Sequence, residues 1–135
     1  MSKLLLKTPC TTWTFDNLMA CVFGIKVSDV KVYFDILKNG PSKINDIAER
    51  INRDRSTVQR AVQNLLNAGL VKRKQVNIKE GGYYYVYEAI PFEETKRIII
   101  ETMDRWCNSM KKWVNDLEFE DVVKEYLENE ENNNR

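Results

Sequence analysis

Histidine is absent from the 135 residues of this chain. That absence removes Ser-His-Asp and Cys-His nucleophilic arrangements and every metal site built on imidazole. No GxGxxG follows a β-like run, and no GxxxxGK followed by Ser or Thr occurs, so neither a dinucleotide nor a triphosphate finds its phosphate cradle. The three cysteines, Cys10, Cys21 and Cys107, form no CxxC pair, which argues against a zinc site or a disulfide framework. They are read as buried free thiols behaving as small hydrophobes, with a Cys10–Cys21 redox pair as the alternative. The opening MSKLLLKTPC has too short an apolar run for a signal peptide, and no stretch approaches the roughly 18 apolar residues of a membrane span, so a cytoplasmic location with no membrane partner is expected. The acidic pairs Glu93-Glu94 and Glu130-Glu131 lie in helical or tail contexts without an apolar pocket to raise a pKa. No catalytic residue, cofactor or metal is expected. There is no internal repeat and no linker rich in Gly, Ser or Pro.

What remains is 43% hydrophobic and 30% charged, enough for one core with a helical extension. Net charge is only +1, but the charges are unevenly placed. Between Pro41 and Gln75, Lys43, Arg50, Arg53, Arg55, Arg60, Lys72, Arg73 and Lys74 face only Asp46, Glu49 and Asp54. From Glu118 onward the balance reverses, with Glu118, Glu120, Asp121, Glu125, Glu128, Glu130 and Glu131 against Lys124 and Arg135. A basic middle is masked by an acidic end.

Apolar residues recur at helical spacing over 14–23 (Phe15, Leu18, Met19, Val22, Phe23), closed by Gly24. Ser28 is placed to cap a second helix with a Val30, Tyr33, Phe34, Leu37 stripe, ended by Asn39-Gly40-Pro41. Ser42 is placed to cap a short helix through Ile44, Ile47, Ala48 and Ile51. Asn52-Arg53-Asp54 then forms a tight turn, since Asn tolerates the left-handed conformation, and Asp54 caps a helix from Arg55 to Ala68 that buries Val58, Ala61, Val62, Leu65 and Leu66. The runs 70–78 and 83–89 around Gly81-Gly82 read as a β-hairpin. From Pro91 a helix carries Ile99, Met103, Trp106, Met110, Trp113 and Leu117 at alternating steps of four and three, the seam of a coiled coil. A final short helix follows Phe119, and residues 129–135 read as a disordered tail.

The fold class is therefore mainly α with a small β-hairpin wing, an α+β winged helix. Residues 1–90 form a winged helix-turn-helix domain and 91–128 form dimerisation helices. The 55–68 helix has small polar and basic residues on its free side and suits the major groove, about 12 Å wide. Arg55, Ser56, Thr57, Gln59, Arg60 and Gln63 form its expected reading set, because Arg pairs with guanine, Gln with adenine, and Ser or Thr with either bases or phosphates. Lys43, Arg53 and the wing bases Lys72, Arg73, Lys74 and Lys79 supply phosphate contacts. Tyr83, Tyr84, Tyr85 and Tyr87 are read as half-buried framework rather than a base-stacking platform.

The stretch IAERINRDRSTVQRAVQNLLNAGLVKRK (47–74), followed by YVYEAIPFEETKRII (85–99), resembles winged helix-turn-helix regulators of the TrmB and MarR groups of archaea and bacteria. The most specific parts are Arg55-Ser56-Thr57-Val58, Gly69-Leu70-Val71 and the exit from Tyr87 to Pro91. The resemblance implies that the helix bearing RSTV is the recognition helix and that dimers bind pseudo-palindromic operators. Asn52 stands where such proteins usually have glycine and Arg53 where they usually have an aliphatic residue; an arginine stem can cover apolar surface while its head reaches a phosphate. Larger TrmB proteins carry a sugar-binding domain, for which this chain is too short, so an effector pocket of that type is expected to be absent.

Together these readings predict a homodimeric, sequence-specific transcriptional regulator that binds double-stranded DNA through the 55–68 helix and the 71–88 wing. Ile99 to Leu117 would form the dimer interface, with the first helix adding to it. The alternative is a winged-helix module that binds protein in a transcription or chromosome assembly.

Overall fold

The structure, a computed structural model, describes the backbone of residues 4–133 and the side chains of residues 4–128. The chain divides into two compact units, Met1–Arg97 and Ile98–Arg135. The first begins with a hairpin that the sequence pattern did not reveal, β1 (Leu5–Lys7) paired antiparallel with β2 (Thr12–Thr14). Its turn is built by TPCT. Pro9 supplies the fixed φ of a turn, Thr8 N–H donates to the Thr11 carbonyl at 2.8 Å, and the Thr8 hydroxyl closes on the same oxygen at 2.7 Å.

Thr14 caps α1 (Phe15–Phe23), accepting from Asn17 N–H at 3.0 Å. Helix α2 (Val27–Asn39) starts earlier than the serine at 28 suggests. The cause is Asp29, which is buried and accepts from the Lys26 N–H at 3.0 Å, so its carboxylate closes the first turn. The buried stripe of α2 is also rotated from the expected one: Val30, Val32, Tyr33 and Ile36 are buried, Leu37 is half-buried and Phe34 is exposed. Phe34 instead joins an aromatic group with Phe15 and Phe92, at centroid separations of 5.9 and 5.8 Å.

Helix α3 (Ile44–Ile51) is entered through Lys43, not capped by Ser42. Ser42 is extended and exchanges both backbone hydrogen bonds with Tyr87, at 3.0 and 2.8 Å, forming a one-residue third strand of the wing sheet. Its hydroxyl donates to the Gly40 carbonyl and accepts from Arg50, leaving nothing for a cap. Asn52 ends α3 with φ 55° and ψ 53°, the left-handed conformation its side chain was expected to permit. Helix α4 (Arg55–Ala68) buries Val58, Ala61, Val62 and Leu65, while Leu66, expected to be buried with them, is half-buried. It stops at Gly69, whose φ of 78° lets Leu70 N–H reach back to the Leu65 carbonyl at 3.0 Å. The wing is β3 (Val71–Asn77) paired antiparallel with β4 (Tyr83–Ala89).

Helix α5 (Phe92–Asn115) begins within the first unit. The reason is a buried polar lock. The Tyr33 hydroxyl, fully buried, donates to the Ile90 carbonyl at 2.8 Å and sits 2.6 Å from the Thr95 hydroxyl, itself fully buried. Burial raises the Tyr33 pKa despite the Thr95 hydrogen bond, and the phenol stays neutral. Tyr33→Phe is expected to cost about 1–2 kcal/mol of stability in urea denaturation, because the Ile90 carbonyl and Thr95 hydroxyl lose their shared partner.

In the second unit α5 continues and is followed by α6 (Phe119–Asn133). The helix extends through Asn133, across most of the segment that composition marks as a disordered tail; residues 134–135 lie outside the described residues. Four acids crowd 118–125 (Glu118, Glu120, Asp121 and Glu125), yet the apolar positions 122, 123, 126 and 127 keep a helical period that composition alone averages away. All three cysteines are exposed, contrary to the reading of buried thiols. Cys10 lies in the β1–β2 turn, and Cys21 and Cys107 lie on helix faces left open. Among the described residues no helix is long and apolar enough to cross a membrane.

Candidate nucleic-acid interface

The free side of α4 is open. Arg55, Ser56, Gln59, Arg60, Gln63 and Asn67 are exposed, Thr57 is half-buried, and no acidic residue occupies the first turn. Among the described residues the Gln59 and Arg60 side chains make no hydrogen bond or ion pair. Others are held by neighbours. Arg55 donates to Asn45 of α3 at 2.8 Å, and Gln63 donates to Asn67 at 3.0 Å.

Asp54 occupies the N-cap position, but its side chain does not cap the backbone. Its carboxylate accepts from the Ser56 and Thr57 hydroxyls, each at 2.5 Å. These two bonds, Ser56 first, lower its pKa to about 2, so it is ionised at any neutral pH. The consequence is that Ser56 and Thr57 have committed their donors and present acceptor lone pairs outward.

The wing bases do not share a face. Register sets Lys72 opposite Glu88 and Lys74 opposite Val86 on one side, and Arg73 opposite Tyr87 and Gln75 opposite Tyr85 on the other. Lys43, leaving the Ser42 bridge, extends over the Tyr84 ring at 4.1 Å, while Arg73 lies over Tyr85 at 4.2 Å. Lys74 pairs with Glu88 at 2.6 Å. Lys72, Lys79 and Arg53 carry exposed charges with no ion pair among the described residues. Tyr84, Tyr85 and Tyr87 are half-buried and Tyr83 exposed; Tyr84 and Tyr85 support the basic side chains of Lys43 and Arg73. Arg50, counted in the basic middle, is neutralised by Asp35 through Nε and Nη2 at 3.0 and 2.8 Å. Asn45, which orients Arg55, was missed in the sequence because nothing in its spacing distinguishes it from an ordinary surface polar residue, and Asp54, expected as a backbone cap, instead holds the Ser56 and Thr57 hydroxyls.

On the second unit's helices, Met103, Trp106, Met110, Trp113 and Leu117 are exposed, whereas Ile99 is buried. The apolar band is wider than a two-row seam, because Ile100, Cys107 and Val114 add a third exposed row one position along. Among the described residues no cluster of Cys, Asp and Glu could hold a metal ion.

The helix-turn-helix and wing just described coincide with residues 19–93, which match the family described as "Sugar-specific transcriptional regulator TrmB". The match covers more than half of the chain. The chain belongs to the TrmB family. It is 92% identical over 129 residues to the uncharacterized protein MJ1503 of Methanocaldococcus jannaschii, covering 96% of this chain and 98% of that protein. A second protein of that organism, MJ1082, is 44% identical over 102 residues, 76% of this chain and 84% of its own length. In fold it is similar to a possible transcriptional regulator from Methanosarcina mazei, with a TM-score of 0.75 at 22% identity over 87% of this chain and 99% of the other. As a TrmB-family chain the protein is a winged-helix transcriptional regulator, in which α3 and α4 form the helix-turn-helix and β3–β4 the wing.

Proposed function

We propose that the protein acts as a homodimer that binds a pseudo-palindromic operator, laying α4 in the major groove and the wing along the flanking backbone. The observation that carries this reading is the uncovered, acid-free face of α4, where Gln59 and Arg60 have no competing partner among the described residues. Arginine donates bidentately to guanine O6 and N7, and glutamine pairs with adenine N6 and N7. Lys72, Lys79, Arg53 and Lys43 contribute affinity through phosphates without reading sequence. The exposed apolar band of α5 meets that of a second copy, which presents two α4 helices about 34–36 Å apart, one turn of the duplex.

A gel shift on the DNA upstream of the protein's own gene, compared with shuffled DNA of equal length, tests the reading. Preferential retardation of the first supports it, and equal affinity for both contradicts it. Lys72→Ala is expected to weaken binding to every sequence alike and to reduce the log–log salt slope by about 1, as removal of one phosphate contact should. A change confined to one sequence would place Lys72 on a base instead.

A further inference from the structure

Beneath the helix-turn-helix lies a cavity of about 140 Å³ that the DNA reading does not use. It is lined by Ser28, Lys31 and Val32 of α2, Ile51 at the end of α3, Arg53 in the turn, and Thr57, Val58 and Ala61 of α4. Its chemistry is two-sided. Val32, Val58 and Ala61 are buried and Ile51 half-buried, giving an apolar floor, while Lys31 and Arg53 are exposed at the rim. Neither cation has a carboxylate partner among the described residues. The nearest acid in sequence, Asp54, does not line the cavity, and its oxygens are taken by Ser56 and Thr57.

We propose that this cavity binds a small organic acid, its carboxylate between Lys31 and Arg53 and its short apolar body on the Val32, Ile51, Val58 and Ala61 floor. The volume, about that of five waters, suits the body of a short-chain acid. A bare phosphate or a DNA backbone oxygen would satisfy the cations but gain nothing from four apolar floor residues, whereas an apolar body is stabilised there in proportion to its buried area. Occupancy would neutralise Arg53 and set a carboxylate beside the start of α4. On the DNA reading of the previous section, the acid therefore opposes operator binding.

Isovalerate titrated into the full chain, followed by backbone amide shifts, tests the site without DNA. Saturable shifts at Lys31, Arg53 and Thr57 with a Kd on the order of 1 mM are expected. Lys31→Ala and Arg53→Leu should each weaken binding about tenfold, with shifts elsewhere in the spectrum unchanged as the check on folding. The uncharged isostere 3-methylbutanol should bind markedly more weakly. Equal affinity for alcohol and acid, non-saturating shifts, or unaltered affinity in both variants would overturn the proposal. In a separate gel shift, saturating isovalerate should weaken the wild-type complex several-fold and leave that of Lys31→Ala unchanged. Acid binding with no effect on DNA would overturn the coupling while the site stands, and absence of any DNA complex would count against the DNA reading alone.

Discussion

Replacing Met110 and Trp113 together with aspartate is expected to yield monomers and to lower affinity for a two-half-site operator by about 10²- to 10⁴-fold. Both side chains are 64% exposed and stand at successive positions of the long apolar row on α5. Trp106 and Leu117 continue the row, and Ile100 and Val114 widen it. An exposed apolar surface of this extent marks an association site on a soluble protein, and tryptophan buries the largest area of any side chain when such a site closes. Aspartate in that contact would be a buried, unpaired charge, which association cannot tolerate. The first unit folds on its own core, centred on Tyr33, Ile47, Val58 and Leu65, so the variant should keep its helical content. Sedimentation at micromolar concentration reads the outcome. A double variant that remains dimeric would remove α5 from the interface.

Arg60→Ala is expected to cost about 1–3 kcal/mol of specific DNA affinity and to relax the preference at one base pair. The size follows from the position. Arg60 is exposed on the open face of α4 and has no ion pair or hydrogen bond to give up among the described residues. Its removal exposes no cavity, because Val58, Ala61 and Val62 beside it are buried by other elements. Stability should therefore be unchanged while binding falls, a split measured by urea denaturation alongside titration of the operator. Arg55→Ala differs, since Arg55 is already shared with Asn45 and its loss also frees an α3 side chain.

The helices of the winged domain were legible because their signals are local. The apolar steps of α4, the left-handed asparagine at 52 and the glycine at 69 each act within one or two turns, and each is found where the spacing places it. What escaped is non-local or too short for a period to form. β1 and β2 have three residues each, below the length at which alternation is visible, and their exposed leucines resemble a frayed terminus. Ser42 has the chemistry of a cap, but strand pairing with Tyr87, distant in sequence, outweighs it. Ser28 lost its role to Asp29, whose burial against Asn64 of α4 depends on tertiary contact. In the candidate interface the residue types and the helix that presents them were readable. Their commitments were not: Arg50 to Asp35, Lys74 to Glu88, and the Ser56 and Thr57 hydroxyls to Asp54 are fixed by side-chain geometry that no spacing encodes.

Selecting bound fragments from a random DNA pool with the wild-type chain and with Arg60→Ala, in parallel, tests most directly whether α4 reads base sequence. The account predicts an enriched inverted repeat with half-site centres about 10–10.5 base pairs apart, and loss of preference at one symmetric position in the variant. Enrichment of no sequence, or the same motif recovered with equal strength from both proteins, would contradict it.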